Sequence, residues 1–100
     1  MQINKTIEGS KLTICLNGRI DTTSAPVLET ELKASWNGIN ELIFDMTDIN
    51  YVSSAGLRIF LTAQKQMNKQ GTMLLKNVTE DVFSVFEITG FSDILTIEKL

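Results

Sequence analysis

The chain has no histidine and a single cysteine, Cys15. The missing histidine excludes Ser-His-Asp and Cys-His catalysis, most zinc sites and the usual general base near neutral pH. One thiol forms neither an internal disulfide nor a multi-thiolate metal centre, and it fits a reducing compartment. Apolar runs stop after a few residues, so neither a membrane span nor a secretory leader is expected, and a cytoplasmic location is. Positive charge is also scarce: nine Lys and Arg face twelve Asp and Glu, a net charge of −3, and the basic residues do not cluster. Such a surface repels a phosphate backbone and argues against a nucleic acid partner. What remains is 100 residues, 43% hydrophobic and 21% charged, enough for one folded core and too few for two. A single domain over residues 1–100 is expected.

Alternation opens the chain. Ile3, Lys5 and Ile7, then Leu12, Ile14 and Leu16, follow the period of two of half-buried strands, and Gly9-Ser10 between them suits a two-residue hairpin turn. Cys15 falls on the strand face opposite Leu12, Ile14 and Leu16, and reads as a small residue beneath a helix. Thr22-Thr23-Ser24 offers helix caps and Pro26 suits a first turn, so Leu28, Leu32 and Trp36 predict a helix over roughly 24–36. Asn37-Gly38 ends it. Leu42-Ile43-Phe44 is an unbroken apolar run, the pattern of a strand covered on both faces. From Ser54, the residues Leu57, Phe60, Leu61, Ala63 and Met67 give a second helix, closed by Gly71 as a left-handed cap. Met73-Leu74-Leu75 predicts a strand. Thr79, with Glu80 and Asp81, predicts a capped third helix anchored by Val82, Phe83 and Phe86. Ile94, Leu95 and Ile97 supply a last strand, and Phe91 reads as packing. The expected fold is α/β, a mixed, mainly parallel sheet of about five strands with helices packed on it, in the order ββαβαβαβ.

Chemistry concentrates between Phe44 and Leu57, which is expected to run from a buried strand through a loop into a helix N-terminus, the edge where α/β sheets gather sites. Ser53 or Ser54 is placed to cap that helix, and an anion is accommodated at the same position. Gly56, in the first turn, costs about 1 kcal/mol against Ala and leaves the backbone approachable. Serine hydrolysis is set aside, because Gly-x-Ser-x-Gly is absent and no histidine activates a serine. Asp45 and Asp48 invite a magnesium reading, yet one strand end supplies too few oxygens, and hydrogen-bonding the loop is the simpler role. Gly18-Arg19-Ile20-Asp21-Thr22 is expected at the same sheet edge, with Asp21 accepting backbone N–H groups and Thr22 capping. No Walker spacing is present, so this chain has no ATP motif.

Three stretches together resemble a known family along nearly the whole chain. Asp45-Met46-Thr47 with Ile49, then Val52-Ser53-Ser54-Ala55-Gly56-Leu57, is similar to the signature of the STAS domain of bacterial anti-sigma-factor antagonists. Leu16, Gly18-Arg19-Ile20-Asp21 and Thr89-Gly90-Phe91 resemble two further motifs of that family. The resemblance implies partner switching. The unmodified protein binds an anti-sigma factor that is also a serine kinase, and phosphorylation releases it until a serine phosphatase restores it. Ser54 matches the acceptor. Ser53 stands where many switch-competent members carry Asp, and it is the second-choice acceptor. Asp21, Thr22, Ser53, Ser54, Gly56 and Leu57 are the implied docking residues. ATP and magnesium would belong to the kinase, so no cofactor, metal or catalytic residue is assigned here. Some similar domains are never phosphorylated and serve as accessory subunits of a lipid-transport ATPase, which is the alternative reading. Asp45 and Asp48 keep a third, enzymatic reading open.

Overall fold

The amino-terminal hairpin forms as the alternation requires. In a computed structural model that describes residues 1–100, strands β1 (Gln2–Glu8) and β2 (Lys11–Ile20) pair antiparallel around Gly9, which takes the positive φ of +62° that the turn demands. Helix α1 (Ala25–Ser35), β3 (Glu41–Val52), α2 (Ser54–Gln70), β4 (Thr72–Val78), α3 (Glu80–Ile88) and β5 (Ile97–Lys99) follow. The five strands lie side by side in chain order, and every pairing after the first is parallel. The order ββαβαβαβ is the one expected. The last strand starts later than expected, because Phe91–Asp93 form a 3-10 turn that leaves Ile94 outside the sheet.

The helices share one face of the sheet. Register pairs Leu12 with Leu42 and Ile14 with Phe44, and Leu42 with Met73 and Phe44 with Leu75, so these side chains point the same way. Phe44 meets Phe60 of α2 edge to face at 5.1 Å, and Phe60 meets Phe86 of α3 at 6.0 Å. All three rings are fully buried. Each such burial is worth about 1.5–3 kcal/mol, and each edge-to-face contact adds about 1 kcal/mol. At the other end of the sheet, Lys5 Nζ reaches Glu31 of α1 at 2.7 Å and Ser35 Oγ at 2.8 Å on this same side. One cluster of 24 buried residues results.

The other face is open, which corrects two expectations. Cys15 is exposed and lies under no helix. Leu42-Ile43-Phe44 is not covered by helices on both sides: Ile43 is buried but stands outside the core cluster. Its register partners Thr13 and Leu74, on the strands to either side, flank it on the open face.

Strand β3 also runs further than expected. No loop separates Asp45 from the second helix, because the strand continues to Val52. It advances three residues while β2 advances two between Cys15 and Asn17, and two while β2 advances one between Gly18 and Arg19. Each added residue is a bulge that re-aims the strand. The consequence is a buried spacing of three, Met46, Ile49 and Val52, where an unbulged strand would bury every second residue. The helix ends bring two further corrections. Gly71 closes α2 in an extended conformation rather than a left-handed one, and a Cβ there would run into the Asn40 carbonyl. Thr79 stands at the N-cap of α3, but its side chain accepts no capping bond, leaving Glu80 and Asp81 to complement the dipole.

Candidate functional site

Two strand-to-helix corners meet at the carboxyl end of β2 and β3. Ser53 N–H donates to the Ile20 carbonyl at 2.8 Å and ties one corner to the other. Gly56 seals the contact, since a Cβ on it would lie 2.7 Å from Ile20 Cγ2 and 3.0 Å from Val52 Cγ1. The absent side chain thus has a structural return, and Gly56 and Leu57 are both buried. Burial takes both off the exposed surface on which docking residues are expected.

The first corner is closed on itself. Asp21 Oδ1 accepts the N–H groups of Thr23 at 3.0 Å and Ser24 at 2.9 Å. Ser24 Oγ accepts the Asp21 N–H at 2.9 Å and donates to the Arg19 carbonyl at 2.7 Å. Asp21 therefore has the expected acceptor role, but Thr22 does not cap: Ser24 occupies the N-cap position of α1, and its hydroxyl serves the turn instead of the helix. The Ser24 amide holds the Asp21 carboxyl below its ordinary range, against the opposing effect of desolvation, with further help from Thr23, the Ser24 hydroxyl and Arg19. Arg19 lies 4.0 Å from Asp21 Oδ2, and its guanidinium stacks over the Tyr51 ring at 4.2 Å.

The second corner separates the two serines. Ser53, half-buried and extended at ψ 173°, is the N-cap of α2, with Oγ accepting the Gly56 N–H at 3.3 Å. Ser54 is the first residue of the helix and is exposed, and its hydroxyl has no hydrogen-bond partner. Beside it runs a groove of about 270 Å³ between α1 and α2, with exposed Thr22 at its α1 end. Ala25, Pro26 and Glu29 line one wall, and Ala55, Arg58 and Thr62 line the other. None of these wall residues is among the expected site residues, although 25, 26 and 29 on α1 and 55, 58, 59 and 62 on α2 each mark one helical stripe.

The carboxylates of the third reading sit elsewhere. Asp45 Oδ1 accepts the Thr47 hydroxyl at 2.6 Å, the Thr47 N–H at 3.1 Å and Asn77 Nδ2 at 3.3 Å. Burial pushes the Asp45 carboxyl up, and these hydrogen bonds with the Lys76 charge more than offset it, so the group ionises below its ordinary range. Asn77 holds its side of the contact from a positive φ of 58°. Asp48 lines a second groove of about 270 Å³ with Thr47, Asn50, Thr79 and Asp81, and no three metal-ligating side chains are gathered there or elsewhere. No helix is long and apolar enough to cross a membrane.

The chain is thus a small α/β domain, a five-stranded sheet with helices on one face and an exposed serine where a bulged strand enters its longest helix. The chain belongs to the STAS domain family, whose model matches residues 2–99. It is 36% identical over 100 residues to the anti-sigma-B factor antagonist of Bacillus subtilis, covering 97% of this chain and 92% of that one. In fold it is similar to an anti-sigma factor antagonist from Mycobacterium paratuberculosis, with a TM-score of 0.88 at 17% identity over 99% of this chain and 86% of that one. It is also similar to the anti-sigma factor antagonist SpoIIAA. The unphosphorylated form gives a TM-score of 0.83 at 15% identity over 96% of this chain and 87% of that one, and the phosphorylated Bacillus form gives 0.75 at 14% over 96% and 90%.

Proposed function

We infer that this protein is an anti-sigma factor antagonist that works by partner switching, with Ser54 as its switch. The observation that carries the reading is the division of labour at the corner: Ser53 is spent on capping α2, whereas the neighbouring Ser54 hydroxyl is exposed and uncommitted. Similarity to the Bacillus subtilis antagonist along nearly the whole chain supports it. So does the likeness of fold to SpoIIAA, a protein known in both phosphorylated and unphosphorylated forms.

In this reading the domain docks on an anti-sigma factor that is also a serine kinase, and the sigma factor is freed. The kinase binds ATP and magnesium. Ser54 Oγ attacks the γ-phosphorus, the bond from that phosphorus to ADP breaks, and the hydroxyl proton passes to a base on the kinase. The product carries about −1.5 to −2 charge where the docking surface had a neutral hydroxyl, and complementarity is lost. A serine phosphatase hydrolyses the ester to Ser54 and inorganic phosphate. This chain binds and is modified, and the catalysis belongs to its partners. Ser54, Ser53, Asp21 and Thr22 form the docking surface, held in place by Gly56 and Leu57.

The test is capture from lysate of the source cell with wild type, Ser54→Ala and Ser54→Asp as baits, followed by mass spectrometry. An ATP-binding serine kinase retained by the first two and lost with the third is the expected result. Retention of transporter subunits by all three would overturn the switch in favour of an accessory subunit of a lipid-transport ATPase.

A further inference from the structure

The groove beside Ser54 holds a cation without an assigned task. Arg58 is exposed and lines the groove between α1 and α2, and it takes part in none of the four ion pairs of the domain. Glu29, across the groove, is engaged by Lys33 at 3.3 Å. Asp21, next to Thr22, is taken up by its own turn and by Arg19. Arg58 is thus a guanidinium with no carboxylate already bound to it.

Its position on the helix is specific. Ser54 and Arg58 are four residues apart on α2, a spacing that brings their Cβ atoms to about 5–6 Å on one face. Helical side chains lean toward the N-terminus and cover the turn before their own Cα, so a rotamer change that lifts Arg58 from the groove wall puts its guanidinium within reach of Ser54. Guanidinium is also the cationic group best shaped to take two oxygens of a phosphate at once.

We propose that Arg58 is an intrahelical clamp for a phosphate on Ser54. The inference rests on Ser54 as the modified residue in the reading above, and it adds how the modification is read. In the unmodified protein Arg58 is free to meet an acidic group on the docking partner. Once Ser54 is phosphorylated, Arg58 turns one helical step back onto the phosphate. Modification then withdraws two docking groups, the hydroxyl and the cation, and leaves a net negative charge at the corner, only partly offset by Arg58, while the fold stays as it is. Arg58 is a positioning and specificity residue here, and it takes no part in the chemistry of transfer.

The experiment places phosphoserine at position 54 during translation, so that no kinase is needed, and follows the phosphorus resonance against pH. In wild type the second phosphate ionisation is expected about half a unit lower than in Arg58→Gln, with Arg58→Lys between them. The amides of the first helical turn act equally on all three, so the difference belongs to residue 58. The amide spectrum of the phosphoserine protein is expected to change only around the corner. Superimposable titrations in wild type and Arg58→Gln would overturn the clamp while leaving the Ser54 switch standing, and amide changes spread through the core would also overturn it. Failure of the switch itself shows elsewhere, as a lysate partner indifferent to Ser54→Asp.

Discussion

The two corners that build the site solve the same problem, turning a strand into a helix, in opposite ways. At the β2–α1 corner the polar side chains of Asp21 and Ser24 are consumed by the turn, each bonded to backbone within five residues. At the β3–α2 corner one serine is consumed and the next is left over. The difference shows what makes an exposed serine available. It is not exposure alone but having a neighbour that already supplies the capping bond. The first corner is a buttress and the second presents a hydroxyl, and Gly56 holds the two in contact.

Breaking that contact is expected to have one of the two largest effects, a net loss of up to about 2 kcal/mol. Helix propensity alone favours Gly56→Ala by about 1 kcal/mol. The clash with Ile20, which is fully buried, opposes it and costs about 1–3 kcal/mol. A net loss in urea-unfolding stability is the expected sign, and a gain would show that Ile20 yields and that the corners are not rigidly joined. Ser24→Ala is expected to have the other. It removes the three hydrogen bonds of the Ser24 hydroxyl, to the Asp21 N–H, the Arg19 carbonyl and Asp21 Oδ1, and leaves the first two groups to find water, a loss of about 1–2 kcal/mol by the same measurement.

Acid sharpens the comparison further. Asp21 is depressed below the ordinary carboxylate value of 3.8 in the folded chain, and so is Asp45. Both therefore lend stability that is complete above that value and is lost as the pH falls through their lower folded values. Asp21→Asn is expected to flatten the acid limb of the stability profile below about pH 4. An unchanged limb would show that the β2–α1 turn does not depend on the carboxylate charge. The Ser53–Ser54 corner carries no carboxylate bonded in this way, so Ser53→Ala should leave the same limb untouched.

Much of this arrangement is legible in the sequence, because local rules decide it. The hairpin at Gly9, the α2 start at Ser53-Ser54 and the acceptor role of Asp21 follow from turn and cap chemistry confined to a few residues. The helices' sharing of one face is not local. Leu42-Ile43-Phe44 reads as two-sided because Ile43 is apolar and buried, yet strand neighbours flank it where a helix was expected, and that depends on register with Thr13 and Leu74. Cys15 is misplaced for the same reason. Gly56 gives no sign of its packing role either, since the Ile20 it meets is 36 residues earlier in the chain. Arg58 escapes a reading of the sequence because its meaning lies in what it is not bonded to.

The smallest effects on stability decide the most about function. Ser53→Ala removes a cap whose bond is long at 3.3 Å, so a loss at the low end of the capping range, about 0.5–1 kcal/mol, is expected. Ser54→Ala removes a hydroxyl with no partner and should stay within about 0.5 kcal/mol of wild type. The order reverses for modification. With the cognate kinase and ATP, Ser53→Ala should still take up phosphate and Ser54→Ala should not, because the hydroxyl that stabilises the helix is the one withheld from the partner. Uptake by Ser54→Ala together with loss in Ser53→Ala would mean that the cap opens to reach the kinase, and the corner would then be a moving part instead of a fixed display.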